Sequence, residues 1–280
     1  MGTSNLYKGP KGSSLLPVDY TGEPDEQPID DTTVEQEESE TGDPEEVDSP
    51  EQEESQNEDD TRVSWTRAKR TFSKQIGKSN PNVRLIAKDY TKALGGYKHA
   101  AKTSKPSKRV AGNIITLFSG NFSNIRQKIE QLGIIFEGRS TQDIFNDIYI
   151  HLSTGSASRE DAIADRALSQ TFSELFESDL MNDQSLEMFT PELLEFLVSH
   201  FVTNSIFYRL LNEVAFGELT ADKSIADITA LERDLKTFID GVVSGRVTEH
   251  LHEGVTPHEI NKFVDDLYED CYKVMEELAK

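Results

Sequence analysis

Apolar residues recur along this chain at intervals of three and four from Trp65 onward, and only sparsely before it. Trp65, Ala68, Phe72 and Ile76 form one such stripe, with Arg67, Lys69, Arg70 and Lys74 largely off it. That spacing predicts an amphipathic helix with a basic outer face. Val83, Ile86, Tyr90 and Leu94 make a second stripe. Asn80-Pro81 predicts its start, with Asn80 as cap and Pro81 in the first turn, and Gly95-Gly96 predict its end. Residues 97–109 (YKHAAKTSKPSKR) read as a basic loop or a short frayed helix. An apolar face on each of these helices implies docking, either on the rest of the chain or on a partner.

From Val110 the pattern is helical throughout. Ile114, Ile115 and Phe118 lead to Gly120, and Phe122, Ile125, Ile129 and Leu132 lead to Gly133. Ser140 with Asp143, and Ser158 with Asp161, have the spacing of a capping box with Asp in place of Glu. Thr190-Pro191-Glu192 opens the most apolar stretch, through Leu194, Leu197, Phe201, Phe207, Leu210 and Leu211, which predicts a central, mostly buried helix. Ser224 with Asp227 opens another, and Thr256-Pro257 a last one carrying Ile260, Phe263, Leu267 and Val274. Gly133 to Phe136 is the one place where strand-like alternation shows. The fold class is therefore all-α, with about six to eight helices in the domain that follows the basic stretch.

Charge divides the 280 residues more sharply than hydropathy does. Residues 1–60 carry 20 acids and 2 bases, residues 61–110 carry 1 acid and 14 bases, and residues 111–280 carry 30 acids and 13 bases, within a total of −22. From Asp19 to Asp60 there is almost no large apolar residue, so that stretch cannot offset the entropy of ordering and is expected to form a long disordered acidic tail. Four parts follow: an N-terminal peptide at 1–17, an acidic linker at 18–61, a basic helical segment at 62–109 and an acidic all-α domain at 110–280. A single cysteine, Cys271, excludes an internal disulfide framework and fits a reducing, cytoplasmic setting. No run of eighteen apolar residues marks a membrane span.

Catalytic and metal chemistry find little support. No G-x-x-x-x-G-K-[ST] loop and no G-x-G-x-x-G after a strand provides a phosphate cradle. His250 and His252, with Glu249, Glu253, His258 and Glu259, form the densest group of metal-ligand types. Residues two apart on a helix diverge, however, and no H-E-x-x-H occurs, so no metal site and no cofactor is expected. Cys271 sits near the apolar stripe of the last helix and reads as a packed thiol. The basic segment is the strongest generic signal. Its Lys and Arg residues, interleaved with Trp65, Phe72, Tyr90 and Tyr97, suit phosphate backbones and base stacking, as in a nucleic-acid-binding adaptor. Arg67, Lys69, Arg70 and Lys74 are its candidate contacts. The same bases equally suit pairing with the acidic domain behind them or with an acidic protein partner.

The first seventeen residues, MGTSNLYKGPKGSSLLP, stand apart from the acid-rich run that follows, with two lysines, no acid and an apolar Leu15-Leu16 pair. Glycine at position 2 favours removal of the initiator Met, which would leave Gly2 with a free α-amine that titrates near pH ~8 and is partly neutral in the cell. A myristoylation signal would want Ser or Thr where Leu6 stands.

Met1-Gly2-Thr3-Ser4, then Gly9-Pro10-x-Gly12 and Leu15-Leu16-Pro17, followed by a basic Arg67-Ala68-x-Arg70 helix, resemble the QatB family of the four-component Qat antiphage systems. The resemblance implies a non-enzymatic component with three neighbours: a QueC-like enzyme (QatC), an ATPase (QatA) and a TatD-like nuclease (QatD). QueC enzymes activate a deazaguanine carboxylate with ATP and pass it to an amine. By that resemblance Gly2 is the acceptor, and Thr3, Ser4, Gly9, Pro10, Gly12, Leu15, Leu16 and Pro17 belong to the peptide that enters the QueC-like active site.

Overall fold

The most apolar stretch of the chain becomes the axis of the structure. In the computed structural model, which describes residues 63–155, 158–181, 190–215, 222–251 and 259–277, Thr190 accepts the Leu193 N–H on its hydroxyl and Pro191 takes the first turn of α8 (Pro191–Val214). Leu193, Leu197, Val198, Phe201, Val202 and Ile206 are all buried. A helix this apolar on every side belongs inside. The helices α7 (Arg159–Glu177) and α9 (Ile225–Leu251) lie against it, and so does α4 (Lys105–Phe118). The last helix, α10 (Ile260–Glu277), packs on α9 and α4.

The basic segment folds onto the same core. Helices α1 (Trp65–Gln75) and α2 (Val83–Ala93) pair with each other, α1 also reaching α8 and α2 reaching α9 and α10. The short α3 (Tyr97–Thr103) rests on α10. One hydrophobic cluster runs from Ala68 and Phe72 to Tyr272 and Met275, so the partner that the apolar faces of 62–109 require is the rest of the chain. On the far side, α5 (Phe122–Gln131) packs on α4, and α6 (Thr141–Leu152) on α4 and α7. Phe145 gathers Phe118, Phe172 and Phe176 around it, with ring centroids 5.9 to 6.2 Å apart, where α4, α6 and α7 meet. Among the described residues there is no strand, and no helix is long and apolar enough to cross a membrane.

Local chemistry fixes most helix ends as the spacing predicts. Asp143 and Asp161 donate their N–H groups to Ser140 and Ser158 at 3.2 and 3.1 Å, and each serine hydroxyl donates back to the aspartate carboxylate. Gly95 and Gly96 take φ of 94° and 88°, and their N–H groups close on Lys92 and Thr91 carbonyls, ending α2. Two expectations change. The cap of α2 is Asn82, whose Oδ1 accepts the Leu85 N–H at 3.0 Å, and Asn80-Pro81 lies in the turn before it. Gln75 at the end of α1 accepts the Asn82 N–H at 3.0 Å, and this contact sets the later start. Residues 97–109 form α3 and the first turn of α4, so α4 runs unbroken across position 110. Gly133 to Phe136 does alternate, with Ile134 and Phe136 buried and Ile135 exposed, but it is a turn and an irregular segment with no strand beside it.

A buried arginine ties the short helices to the axis. Arg209 of α8 donates to the Ala100 carbonyl at 2.9 Å, to Ser104 Oγ at 2.8 Å and to Thr103 Oγ1 at 2.7 Å, all at the end of α3. It also reaches the Tyr272 hydroxyl at 3.4 Å, and its Nε pairs with Glu160 Oε2 at 3.4 Å. Burial opposes its charge, yet Tyr272, Tyr90 and Glu160 hold its pKa above the ordinary value. At the other end of α3 the Tyr97 N–H donates to Glu276 of α10 at 2.8 Å, which puts an acid at a helix N-terminus. Replacing Arg209 by Ala should cost about 3 to 5 kcal/mol, because Glu160 and the α3 carbonyl would be left buried without a cation. Thermal unfolding should show a fall of roughly 10 °C, and a fall of under about 2 °C would mean the guanidinium holds nothing. Tyr90→Phe is the contrasting case. The Tyr90 hydroxyl is buried without a hydrogen-bond partner among the described residues, so its removal should change stability by less than about 1 kcal/mol.

Candidate functional site

Gly2 and the peptide Thr3 to Pro17 lie outside the described residues. The second set of candidates, Arg67, Lys69, Arg70 and Lys74, falls on α1 where the stripe predicts. Ala68 and Phe72 point into the core, while Arg67, Arg70 and Lys74 are exposed and Lys69 is half-buried. Arg67 is committed: its Nε lies 3.4 Å from Asp89, the one acid between 61 and 110. Asp89 is buried on α2 and also accepts the Thr71 hydroxyl at 2.7 Å. The pair thus fastens α1 to α2. Arg70 and Lys74 have no ion-pair partner among the described residues.

The aromatic half of the base-stacking idea does not survive the packing. Phe72 and Tyr90 are fully buried, and Trp65 packs against the core with its ring 6.2 Å from that of Tyr90. Tyr97 is half-buried with Lys98 over its ring. The basic segment therefore shows most of its cations outward, keeps Phe72 and Tyr90 inside, and packs the half-buried Trp65 and Tyr97 along the edge of the core.

The structure adds two places that the sequence did not single out. A groove of about 410 Å³ runs between α4 and α10, with Lys105, Lys108 and Arg109 on one wall and Asn261 and Asp265 on the other. Gly112 forms part of its lining, and a Cβ there would meet Ile260 at 3.7 Å. Lys108 and Arg109 are already neutralised, by Asp265 at 2.6 Å and Asp161 at 3.0 Å. Ser104 before Pro106, with bases at 105, 108 and 109, was the sequence signal for this helix face.

The second place is a polar seam between α7, α8 and α9. Glu174 accepts from His200 Nδ1 at 2.7 Å, from Gln170 at 3.0 Å and from Asn204 at 3.1 Å, and it also pairs with Lys236. The His200 ring stacks on Phe196 at 3.8 Å. Burial pushes the Glu174 carboxyl up, but hydrogen bonds from His200, Lys236 and Gln170 outweigh it and hold the pKa at about 2. Gln170 is one helical turn from Glu174, but His200, Asn204 and Lys236 are 26 to 62 positions away, so no local motif announced them. The seam locks three helices together, with the Glu174 carboxylate fully engaged and the buried Asn204 Oδ1 left without a partner among the described residues. Cys271 is buried, and burial pushes its thiol up to about 12, which leaves no thiolate for nucleophilic work. Of the group around His252, residues 252–258 lie outside the described residues.

Comparison with known proteins gives one family. Residues 95–275 match the family model described as Qat anti-phage system associated protein QatB. The matched region runs from the turn before α3 into the last turns of α10. No curated protein matches the chain, and no solved structure matches it.

The seam generates a pH prediction. Glu174 has a lower pKa folded, about 2, than its ordinary value of 4.5, so its contribution is complete above 4.5 and fades as the pH falls toward 2. Glu174→Gln should therefore lose roughly 2 to 3 kcal/mol of unfolding free energy at neutral pH. In urea titrations at a series of pH values, the gap between wild type and variant should close below pH 4.5. A gap independent of pH would show that the loss comes from packing and not from the charge.

Proposed function

Because the chain belongs to the QatB family of Qat anti-phage systems, we propose that it serves antiphage defence as a non-enzymatic component, one whose helical body docks a QueC-like enzyme while its N-terminal peptide presents Gly2 for conjugation to a deazaguanine. The observation that carries this reading is the family match. It falls on the helical body, while the Met1-Gly2-Thr3-Ser4 and Gly9-Pro10-x-Gly12 motifs lie well upstream of it. On this reading docking belongs to the helical body and delivery to the peptide upstream of it.

The chemistry asks little of this protein beyond a free, unhindered amine. The Gly2 nitrogen attacks the activated carboxyl carbon of the deazaguanine and a C–N amide bond forms. The bond from that carbon to its activating group breaks, the activating group leaves, and the amine gives up a proton to solvent. A chain of about sixty residues with the linker composition of 18–61 spans roughly 40 Å root-mean-square, and self-repulsion lengthens it. Tethering at that length raises the concentration of Gly2 at a docked enzyme to the order of millimolar. On this reading the body has only to be a rigid anchor, and the Arg209 and Glu174 networks, each joining several helices, support it. Qat membership supports partners from within that system: the QueC-like enzyme first, then the ATPase and the TatD-like nuclease.

Intact-protein and N-terminal peptide mass spectrometry tests this directly. Co-expression with the QueC-like neighbour should add mass at Gly2, and expression alone should not. Deleting residues 2–17 should abolish the addition while the two proteins still co-purify. An unmodified Gly2 beside an active neighbour would overturn the acceptor role. Loss of co-purification in the deletion would make the leader the docking element instead of the body.

A further inference from the structure

The bases of α1 to α3 remain unexplained by delivery of Gly2. They lie in stripes at helical spacing: 67, 70 and 74 on α1, then 84, 88 and 92 on α2, then 98 and 102 on α3, continued by Lys105. Residues three and four apart share a helix face, so each stripe is a row of cations. No carboxylate of the segment competes with them, since Asp89 is buried and held by Arg67 and Thr71. From Lys69 to Lys105, none of these bases has an ion-pair partner among the described residues. Lys108 and Arg109 are spent on Asp265 and Asp161, which takes the α4–α10 groove out of the count.

What kind of partner fits such a face follows from what it lacks. Protein interfaces are centred on apolar and aromatic anchors and are depleted in lysine. Among the described residues the exposed large apolar ones are Leu132, Ile135, Ile150 and Ile225, and none belongs to α1–α4. Single-stranded nucleic acid is gripped by aromatic stacking, but here Phe72 and Tyr90 are shut inside the core and the half-buried Trp65 and Tyr97 are engaged, Trp65 against Tyr90 and the core and Tyr97 under Lys98. Phosphate rows need neither anchor nor stack. Helices α1 and α2 are each about 16 Å long, and over that length duplex DNA carries on the order of ten charges.

We propose that the α1–α3 face, together with Lys105, binds the phosphate backbone of double-stranded DNA without reading its sequence. Most of this face, on α1 and α2, lies upstream of the residues that match the family. It would hold the protein, and whatever docks on its body, at DNA. The inference stands independently of Gly2, because the variants that test it leave the N-terminal peptide intact.

The experiment is fluorescence anisotropy of the full-length chain with a labelled duplex of about 30 base pairs, titrated with KCl. Matched single-stranded DNA and duplex RNA serve as competitors. With on the order of five phosphates contacted, affinity should fall several hundred-fold between 50 and 200 mM salt, and log K against log salt should have a slope near −4.5. The triple variant Arg70→Ala, Lys74→Ala, Lys102→Ala should fold normally by circular dichroism, bind more weakly, and flatten that slope by about 2.7. Neutralising Arg126 and Arg139, on and just after α5 on the far side of the bundle, should leave binding unchanged. No duplex binding at 50 mM KCl, or equal loss in the control variant, would overturn the proposal. Tighter binding to single strands or to RNA would also overturn it. Failure to bind any nucleic acid would return the face to an acidic protein partner.

Discussion

A single buried cation organises this bundle. Arg209 leaves the central helix with almost no solvent around it and meets the carbonyl and hydroxyl groups at the end of α3, a phenol from α10 and a carboxylate from α7. A seven-residue helix such as α3 has no stability of its own. It exists because its end is filled by a guanidinium and its beginning by Glu276. Through α3 the arginine also fixes where α4 starts and how α10 lies. A hydrophobic contact could supply similar energy, but it would not dictate the register of four elements at once.

The rest of the architecture divides the labour of a defence component. The interior is stiffened by polar ties, Arg209 on one side of α8 and Glu174 on the other, each joining three or more helices. Apart from Arg67, the bases of α1–α3 have no ion-pair partner among the described residues, because their one acid is turned inward to clamp the hairpin. On the proposed function the body is both an anchor for the N-terminal peptide and a charged surface in its own right. Neither role calls for a moving part within the bundle.

Much of this was legible in the sequence, for definite physical reasons. Helix identity followed from apolar spacing, and the ends at Ser140, Ser158, Thr190 and Gly95-Gly96 followed from local hydrogen-bonding chemistry that needs no tertiary context. The cap of α2 was read two residues early, because Gln75 of the preceding helix decides between two asparagines. Residues 97–109 read as a basic loop or a short frayed helix, because the helix that begins at Lys105 is stabilised mainly by contacts with α8, α10 and α7. The aromatics of the basic segment were visible as residue types, but the side they face depends on a core made by helices over a hundred positions away. Glu174, His200 and Lys236 carried no signal, since only the fold brings them together.

The clasp between Tyr97 and Glu276 has a consequence in time. The two residues are 179 positions apart, so at a ribosomal rate of about 5 to 20 residues per second roughly ten to forty seconds separate their synthesis. For that interval α1, α2 and α3 have been made, but α10, against which α2 and α3 pack, has not. The basic hairpin is the first part of the body to be translated and among the last to find its seat. Everything upstream of α1 is therefore synthesised well before the body behind it can close.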